Sequence, residues 1–548
     1  MASCQDPEYV SPTAERQGLT SLTAIFTSGP YEDKEAVKYD ITDQQAEKYV
    51  IPVPWFYPSD SENETEQYMS AMRVQAVLAP NCKIEPALGV LDLTKDNYFT
   101  YTDAEGSQRK INITGQRVKS AECSILAFSI VKPSASGIID NNNNTVSVVS
   151  VDDLSSCLAE ITLSPHATIS PDPRTTALDY NKEVKLTVTA HNGTDKKVYT
   201  VKKTTPEKIQ YGFNQMVPLF SLDATSIMGF PWNATNAPTL GVVGGKLVVC
   251  QGDGTVPRYF NQETGSKEGE IKLGQAKAGC ITSDEGGHLL ICNSVQAGGE
   301  CNVYVTNSVA EAPKLFTSFT NNAGLPMGAK MKVAGNINGD AVIIITNDGV
   351  AGVTTSSKFT RIVVKGGVPQ APEVVDISST GLAWSAAPVN STSVTPASDN
   401  ISDGCFLSYY DANTLTYLDG NNKIAAQLPN GTGNSWALNQ NNLDAKAFNN
   451  ANYMALFIVS HFPHWGTGPQ LYLYDVTNKS ALAAADIASS SALVLKADAL
   501  EWYQKADTRT ASGDVVLAPT PDGYKLYVYY YDNNSSVIGA YVADCIKQ

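Results

Sequence analysis

The sequence predicts an all-β protein: two tandem immunoglobulin-like β-sandwiches followed by a six-bladed β-propeller, with seven blades as the alternative count. Two internal repeats predict it. Across the last two-thirds of the chain a turn followed by an apolar strand recurs six times, and in the first 205 residues a different, longer unit occurs twice. Repeats on this scale mark architectures in which each unit is one supersecondary element.

The six copies are explicit. Gly245 opens Lys246–Cys250, Gly287 opens His288–Cys292, and Gly339 precedes Asp340–Thr346. Gly404 precedes Cys405–Tyr410, Asn452 precedes Tyr453–Val459, and Gly523 precedes Tyr524–Tyr530. Their mean spacing of about 56 residues suits propeller blades with variable loops. A blade is a meander of strands joined by tight turns, and the last unit reads as one. Asp514–Ala518, Tyr524–Tyr531 and Val537–Val542 are strands, separated by the turns Pro521-Asp522-Gly523 and Asp532-Asn533-Asn534-Ser535. The Ala-rich segment Ser480–Asp507 has helical propensity, yet Leu493–Leu495 and Trp502-Tyr503 fit strands at that point of the repeat.

The N-terminal repeat sets Ala76–Pro86 over Ile161–Pro171. Downstream, Tyr101–Gly106 with Lys110–Thr114 matches Val188–Gly193 with Lys197–Val201. An offset of roughly 85 residues and short alternating strands fit two sandwiches in tandem. The resulting division is a tether at 1–17, sandwiches at 18–117 and 118–205, and a propeller at 206–548.

Composition narrows the function. A chain of 548 residues has a length prior of roughly three or four domains. Thirty-nine basic against 55 acidic residues give a net charge of −16, which disfavours nucleic acid and anionic lipid as partners. No run of about 18 apolar residues offers a membrane-spanning helix. Ten cysteines suit an exported protein but are too few for a dense disulfide framework. Cys292 and Cys301 are the pair with local logic, since they flank the turn Gln296–Glu300 between two antiparallel strands. The others read as small buried hydrophobes. Without a Cys-x-x-Cys spacing no structural zinc site is expected, and no cofactor motif is present.

At the N-terminus, Ala2-Ser3-Cys4 resembles the tail of a bacterial lipoprotein signal, and Gln5-Asp6-Pro7-Glu8 resembles the acidic stretch that directs Bacteroides lipoproteins to the cell surface. The Val-Thr-Ala-x-x-Gly pattern at Val188–Gly193 and Tyr-Thr-Val at Tyr199–Val201, ahead of a propeller, extend the resemblance over the whole chain. The chain is similar to Bacteroides surface lipoproteins with tandem Ig-like repeats, and in layout to the glycan-binding lipoproteins of starch-utilisation-type systems. That resemblance implies lipidation at Cys4, an outer-membrane location on the extracellular face with the lipid as the sole membrane contact, and capture of polysaccharide or oligosaccharide for a TonB-dependent importer.

Sugar recognition needs aromatic planes for the C–H faces of pyranose rings, with amides and carboxylates for the hydroxyls. Trp465 ranks first, in the loop His461–Gln470 between apparent strands, with His464 beside it. Trp232 in Gly229–Thr235 and Trp436 ahead of the amides Asn439–Asn442 follow. Trp384 and the pair Trp502-Tyr503 complete the set, although propellers also use aromatics to fill gaps between blades. Trp55-Phe56-Tyr57, between Pro54 and Pro58, reads instead as an edge or interdomain contact.

Two other classes compete. A propeller can bind protein as an adhesin or scaffold. A propeller glycoside hydrolase or lyase is the third reading, because carboxylates drawn from separate blades leave no local motif. No nucleophile elbow or phosphate loop exists, and Pro463 opposes a helical His461/His464 metal pair. The expectation is a non-catalytic protein with no metal.

Overall fold

The computed structural model describes residues 18–385, 392–410, 412–430, 438–460, 468–497, 500–503 and 512–547. The expected tether and Cys4 lie outside the described residues. The chain divides into two compact units, Met1–Pro206 and Glu207–Gln548. Among the described residues only short 3-10 turns interrupt the strands.

In the first unit, two four-stranded sheets form the first sandwich. One orders Glu35–Asp40, Leu19–Phe26, Met72–Leu78 and Val90–Leu91; the other orders Lys48–Pro54, Gln108–Val118, Asn97–Thr102 and Lys83–Glu85. Alternation puts Leu22, Phe26, Tyr49, Ile51, Val74, Ile111 and Ile113 into the shared core. The second module draws seven strands into one continuous sheet, from Ala159–Leu163 through Ile125–Ile130, Ala135–Asp140, Thr145–Val149, Lys196–Thr204 and Val184–Thr189 to Thr168–Ser170. The sheet curls until it is nearly closed, and Ala159 N of one edge strand donates to Pro173 O, just past the other edge strand, at 2.9 Å. Phe128, Val146, Leu186, Val188 and Tyr199 fill the interior.

The internal repeat is visible as register. Ile84 faces Tyr101 in the first module and Ile169 faces Val188 in the second. Lys48–Pro54 runs parallel to Asn112–Val118, as Thr145–Val149 runs parallel to Thr200–Thr204. The Trp55–Tyr57 run makes the contact expected of it. Phe56 stacks on His166 at 4.1 Å and on His191 at 5.4 Å, while the Arg117 guanidinium lies 3.7 Å from the Trp55 ring centre.

The second unit is a six-bladed propeller. Blade one comprises Thr239–Val243, Lys246–Cys250, Arg258–Asn261 and Lys267–Glu270; blade two, Cys280–Ser283, Leu289–Cys292, Glu300–Thr306 and Lys314–Thr320. Blade three comprises Met327–Gly335, Ala341–Asn347 and Lys358–Lys365, the last flanked by Val368–Pro369 and Glu373–Asp376. Blade four has Thr392–Pro396, Cys405–Tyr409, Thr414–Leu418 and Ile424–Pro429; blade five, Leu438–Phe448, Ala451–Ser460, Gln470–Asp475 and Leu493–Lys496. Blade six closes the ring: Gly513–Pro519, Lys525–Asp532 and Val537–Asp544 accept Val217–Asp223 from the start of the unit as their outer strand. That join ties the two ends of the unit together and leaves the ring no seam.

All six turn-and-strand copies read from the sequence are the second strands of their blades. These strands are flanked on both sides by their neighbours and covered on both faces, so Leu289–Cys292, Ala341–Asn347 and Cys405–Tyr409 are buried along their whole length. The preceding turn explains the glycine. At Gly404 φ is +76° and an added Cβ would lie 1.9 Å from Leu418 O, so no side chain fits. Blade five uses asparagines instead, with Asn449 and Asn450 both at positive φ.

Candidate functional site

Successive strands of a blade are antiparallel, which fixes where the loops emerge. Connections from second to third strand, and from one blade to the next, leave at one axial end; the remaining turns leave at the other. Trp232 lies between Asp223 and Thr239, Trp384 between Asp376 and Thr392, and Trp502 between Lys496 and Gly513, all three in blade-to-blade connections. Trp436, His464 and Trp465 lie outside the described residues. The strand ends on either side of them, Pro429 and Leu438, Ser460 and Gln470, belong to the same axial end.

At that end the turn Asp532–Ser536 of blade six is the organising element. The Asp532 carboxylate accepts from Ser460 N at 2.8 Å, Asn534 N at 2.8 Å, Ser535 N at 3.2 Å and Ser535 Oγ at 2.9 Å. Burial pushes this carboxyl up to about 6, against those hydrogen bonds. Trp232 Nε1 donates to Asn533 O at 2.9 Å, and Asn533 Nδ2 returns a bond to Asn233 O at 2.9 Å. From the other side Tyr503 N donates to Ser535 O at 2.8 Å, and its hydroxyl donates to Ser221 O at 3.2 Å. The turn thus holds two of the expected aromatics, with Trp232 half-buried and Tyr503 42% exposed.

Trp384 takes another role. It is 1% exposed, its backbone pairs with Ser356 in both directions, and its Nε1 donates to Asn347 O at 2.9 Å. Its ring lies 5.9 Å from that of Tyr409, across the junction of blades three and four. No face remains for a ligand, which removes Trp384 from the expected site. Trp502 and Tyr503 also depart from the strand expected of them, since the last strand of blade five ends at Lys496. The Trp502 ring packs over Gly468, where an added Cβ would lie 2.6 Å from it.

The innermost strands close the axis with charge. Lys332 Nζ donates to Asp514 Oδ1 at 2.8 Å and to Val515 O at 2.6 Å. Lys446 Nζ donates to Asp444 Oδ1 at 2.8 Å and to Val333 O at 2.6 Å. Lys330 Nζ donates to Asn442 Oδ1 and Gly513 O. The carboxylates are bonded in turn, Asp514 by Leu240 N at 2.9 Å and Asp444 by Leu517 N at 2.8 Å. Burial lowers Lys330 to about 8 and raises Asp348, beside it, to about 7. The ladder joins blades one, three, five and six, and satisfied in this way buried charge is tolerated.

A 330 Å³ recess opens at the opposite axial end, lined by Glu285, Phe448–Asn452, Pro519 and Pro521. There Glu285 accepts from Ala447 N at 2.9 Å, and burial raises its carboxyl. Asp532 and Glu285 sit at opposite ends, so this pair of raised carboxyls does not flank a common substrate position. Among the described residues no group of three or more His, Cys, Asp or Glu is arranged to hold a metal ion.

Asp532–Ser535 is legible in the sequence as a turn, but not as the anchor of Trp232 and Tyr503. Its local signal, Asp-Asn-Asn-Ser, names a turn but neither Tyr503 nor Trp232, the latter 301 residues from Asn533.

A family model described as a domain of unknown function, DUF8500, matches residues 218–544. Two further domains of unknown function, DUF5018 and DUF8499, match 1–115 and 125–203. No curated protein matches. Among solved structures, a DUF4623 family protein from Bacteroides eggerthii is similar at 15% identity and a TM-score of 0.42, over 78% of this chain and 99% of that one. A catalytically inactive virginiamycin B lyase from Staphylococcus aureus, with quinupristin, has 11% identity and a TM-score of 0.30, over 60% and 99%. A protein of unknown function from Bacteroides caccae has 10% identity and a TM-score of 0.28, over 55% and 91%.

Proposed function

The chain belongs to DUF8500, a family described as a domain of unknown function, and we propose that it is a non-catalytic, cell-surface glycan-binding lipoprotein. In this reading Cys4 carries the lipid at the outer membrane, the sandwiches serve as spacers, and the propeller captures polysaccharide for a TonB-dependent importer. The observation that supports it is the convergence of tryptophan-bearing connections on one axial end, with Trp232 and Tyr503 braced by a single turn. Aromatic faces held by backbone hydrogen bonds lose little conformational freedom on stacking against a sugar ring, while amides nearby select among hydroxyl patterns. Weak individual sites then act together across many anchored copies.

Electrophoresis of the whole chain through gels containing plant, host-mucosal and microbial polysaccharides, with reducing-sugar release assayed alongside, tests the reading. Retardation by one class without sugar release is expected. Sugar release would replace it with the hydrolase or lyase reading. Absence of retardation across the panel would favour a protein ligand.

A further inference from the structure

Blade two gathers three buried cysteines. Cys280 and Cys292 face each other on its first and second strands, and Cys301 stands on the third, with its Sγ 3.6 Å from that of Cys292. All three are fully buried and all are free thiols in the structure. The turn between Cys292 and Cys301 is bracketed by one side chain: Asn293 Nδ2 donates to Glu300 O at 3.0 Å and Asn293 Oδ1 accepts from Asn302 N at 2.7 Å. That bracket sets the two strands side by side beside the sulfurs. Disulfide bonding needs the sulfurs about 1.5 Å closer.

We propose that blade two carries a covalent clasp, a disulfide between Cys292 and Cys301 that forms while their hairpin is still open to solvent, leaving Cys280 as a thiol. The oxidant is an external disulfide, whether of a thiol oxidoreductase or a small molecule. One cysteine loses its proton and its thiolate attacks that disulfide, expelling a thiolate and giving a mixed disulfide. The second cysteine, deprotonated in turn, attacks the protein sulfur and expels the other thiolate. Two protein thiols lose two protons and two electrons, one S–S bond forms, and the external disulfide leaves as two thiols. The order of events follows from the fold. Once the blade closes, the neighbouring thiols and burial hold Cys292 and Cys301 far above the ordinary thiol range, so reactive thiolate is scarce. Both hairpins are local in sequence, and the Asn293 bracket belongs to the one that joins Cys292 to Cys301.

Refolding of the full chain with oxidised glutathione, alkylation under denaturing conditions without reductant, digestion and mass spectrometry tests the assignment. A linked Cys292–Cys301 peptide with alkylated Cys280 is expected. Dithiothreitol should then lower the propeller's thermal midpoint by several degrees in the wild type and in Cys405→Ser, and leave Cys301→Ser unmoved. Full alkylation of Cys292 and Cys301 after oxidative refolding would overturn the proposal, as would a Cys280–Cys292 link.

Discussion

Lys332 reaches from blade three across the propeller axis to Asp514 of blade six, Nζ to Oδ1 at 2.8 Å, and both side chains are closed off from solvent. An ion pair in that setting is a constraint on blade placement more than a source of stability. Removing one partner leaves a buried charge without its counterpart, whereas removing both can be neutral. Lys332→Met is therefore expected to destabilise the propeller by about 3–5 kcal/mol, and the double variant Lys332→Met/Asp514→Leu to recover a substantial part of that loss. Urea denaturation of the two variants and the wild type measures both numbers.

The turn into blade four makes a backbone prediction. Gly404 combines φ +76° with contact against Leu418 O, so Gly404→Ala should cost about 1–3 kcal/mol or more through strain and displaced backbone. The equivalent change at Gly254, which has positive φ but open space around it, should cost less. The difference in denaturation midpoint reads out the contact separately from the dihedral.

Acid should loosen the joint between the two sandwich modules. Burial first, then Lys119 and His166, lower the His191 pKa in the folded chain. A depressed folded pKa means that the unfolded chain binds the proton more readily. The contribution is complete above the ordinary histidine value near 6.5 and is lost as pH falls through that value toward the lower folded one. The thermal midpoint of the first unit should fall between pH 7.5 and 5.5, and His191→Phe, which keeps a ring beside Phe56 but cannot titrate, should flatten that slope.

Two aromatics should separate structure from binding. Trp384→Ala empties a buried position between blades and is expected to cost about 3–5 kcal/mol. Tyr503→Ala removes a side chain that is 42% exposed. Its stability change should be small, and its loss of polysaccharide retention large. Denaturation midpoints and gel retardation on the same two proteins make the comparison.

What the sequence revealed follows from local physics. Second strands such as Ala341–Asn347 are covered on both faces and so appear as unbroken apolar runs behind a glycine turn. The sandwich repeat was visible because Ile84 and Tyr101, like Ile169 and Val188, are inward-facing partners that must stay apolar. The axial ladder was hidden. Lys330 and Lys332 alternate with apolar neighbours like any half-exposed strand, and Asp514 stands 182 residues from Lys332. Trp384 carried two readings, ligand platform and filler between blades, and loop composition could not choose between them because it says nothing of the pairing with Ser356 that buries the ring. The bracing of Trp232 and Tyr503 depends on a turn contributed by the last blade.

The most direct test of the glycan-binding account compares the wild type with Tyr503→Ala and Tyr503→Phe in gels containing the polysaccharide that retards the wild type most, with reducing sugar assayed in each lane. The account predicts strong retardation of the wild type and Tyr503→Phe, weak retardation of Tyr503→Ala, and no sugar release from any of them. Equal retardation of all three, or sugar released by the wild type, would contradict it.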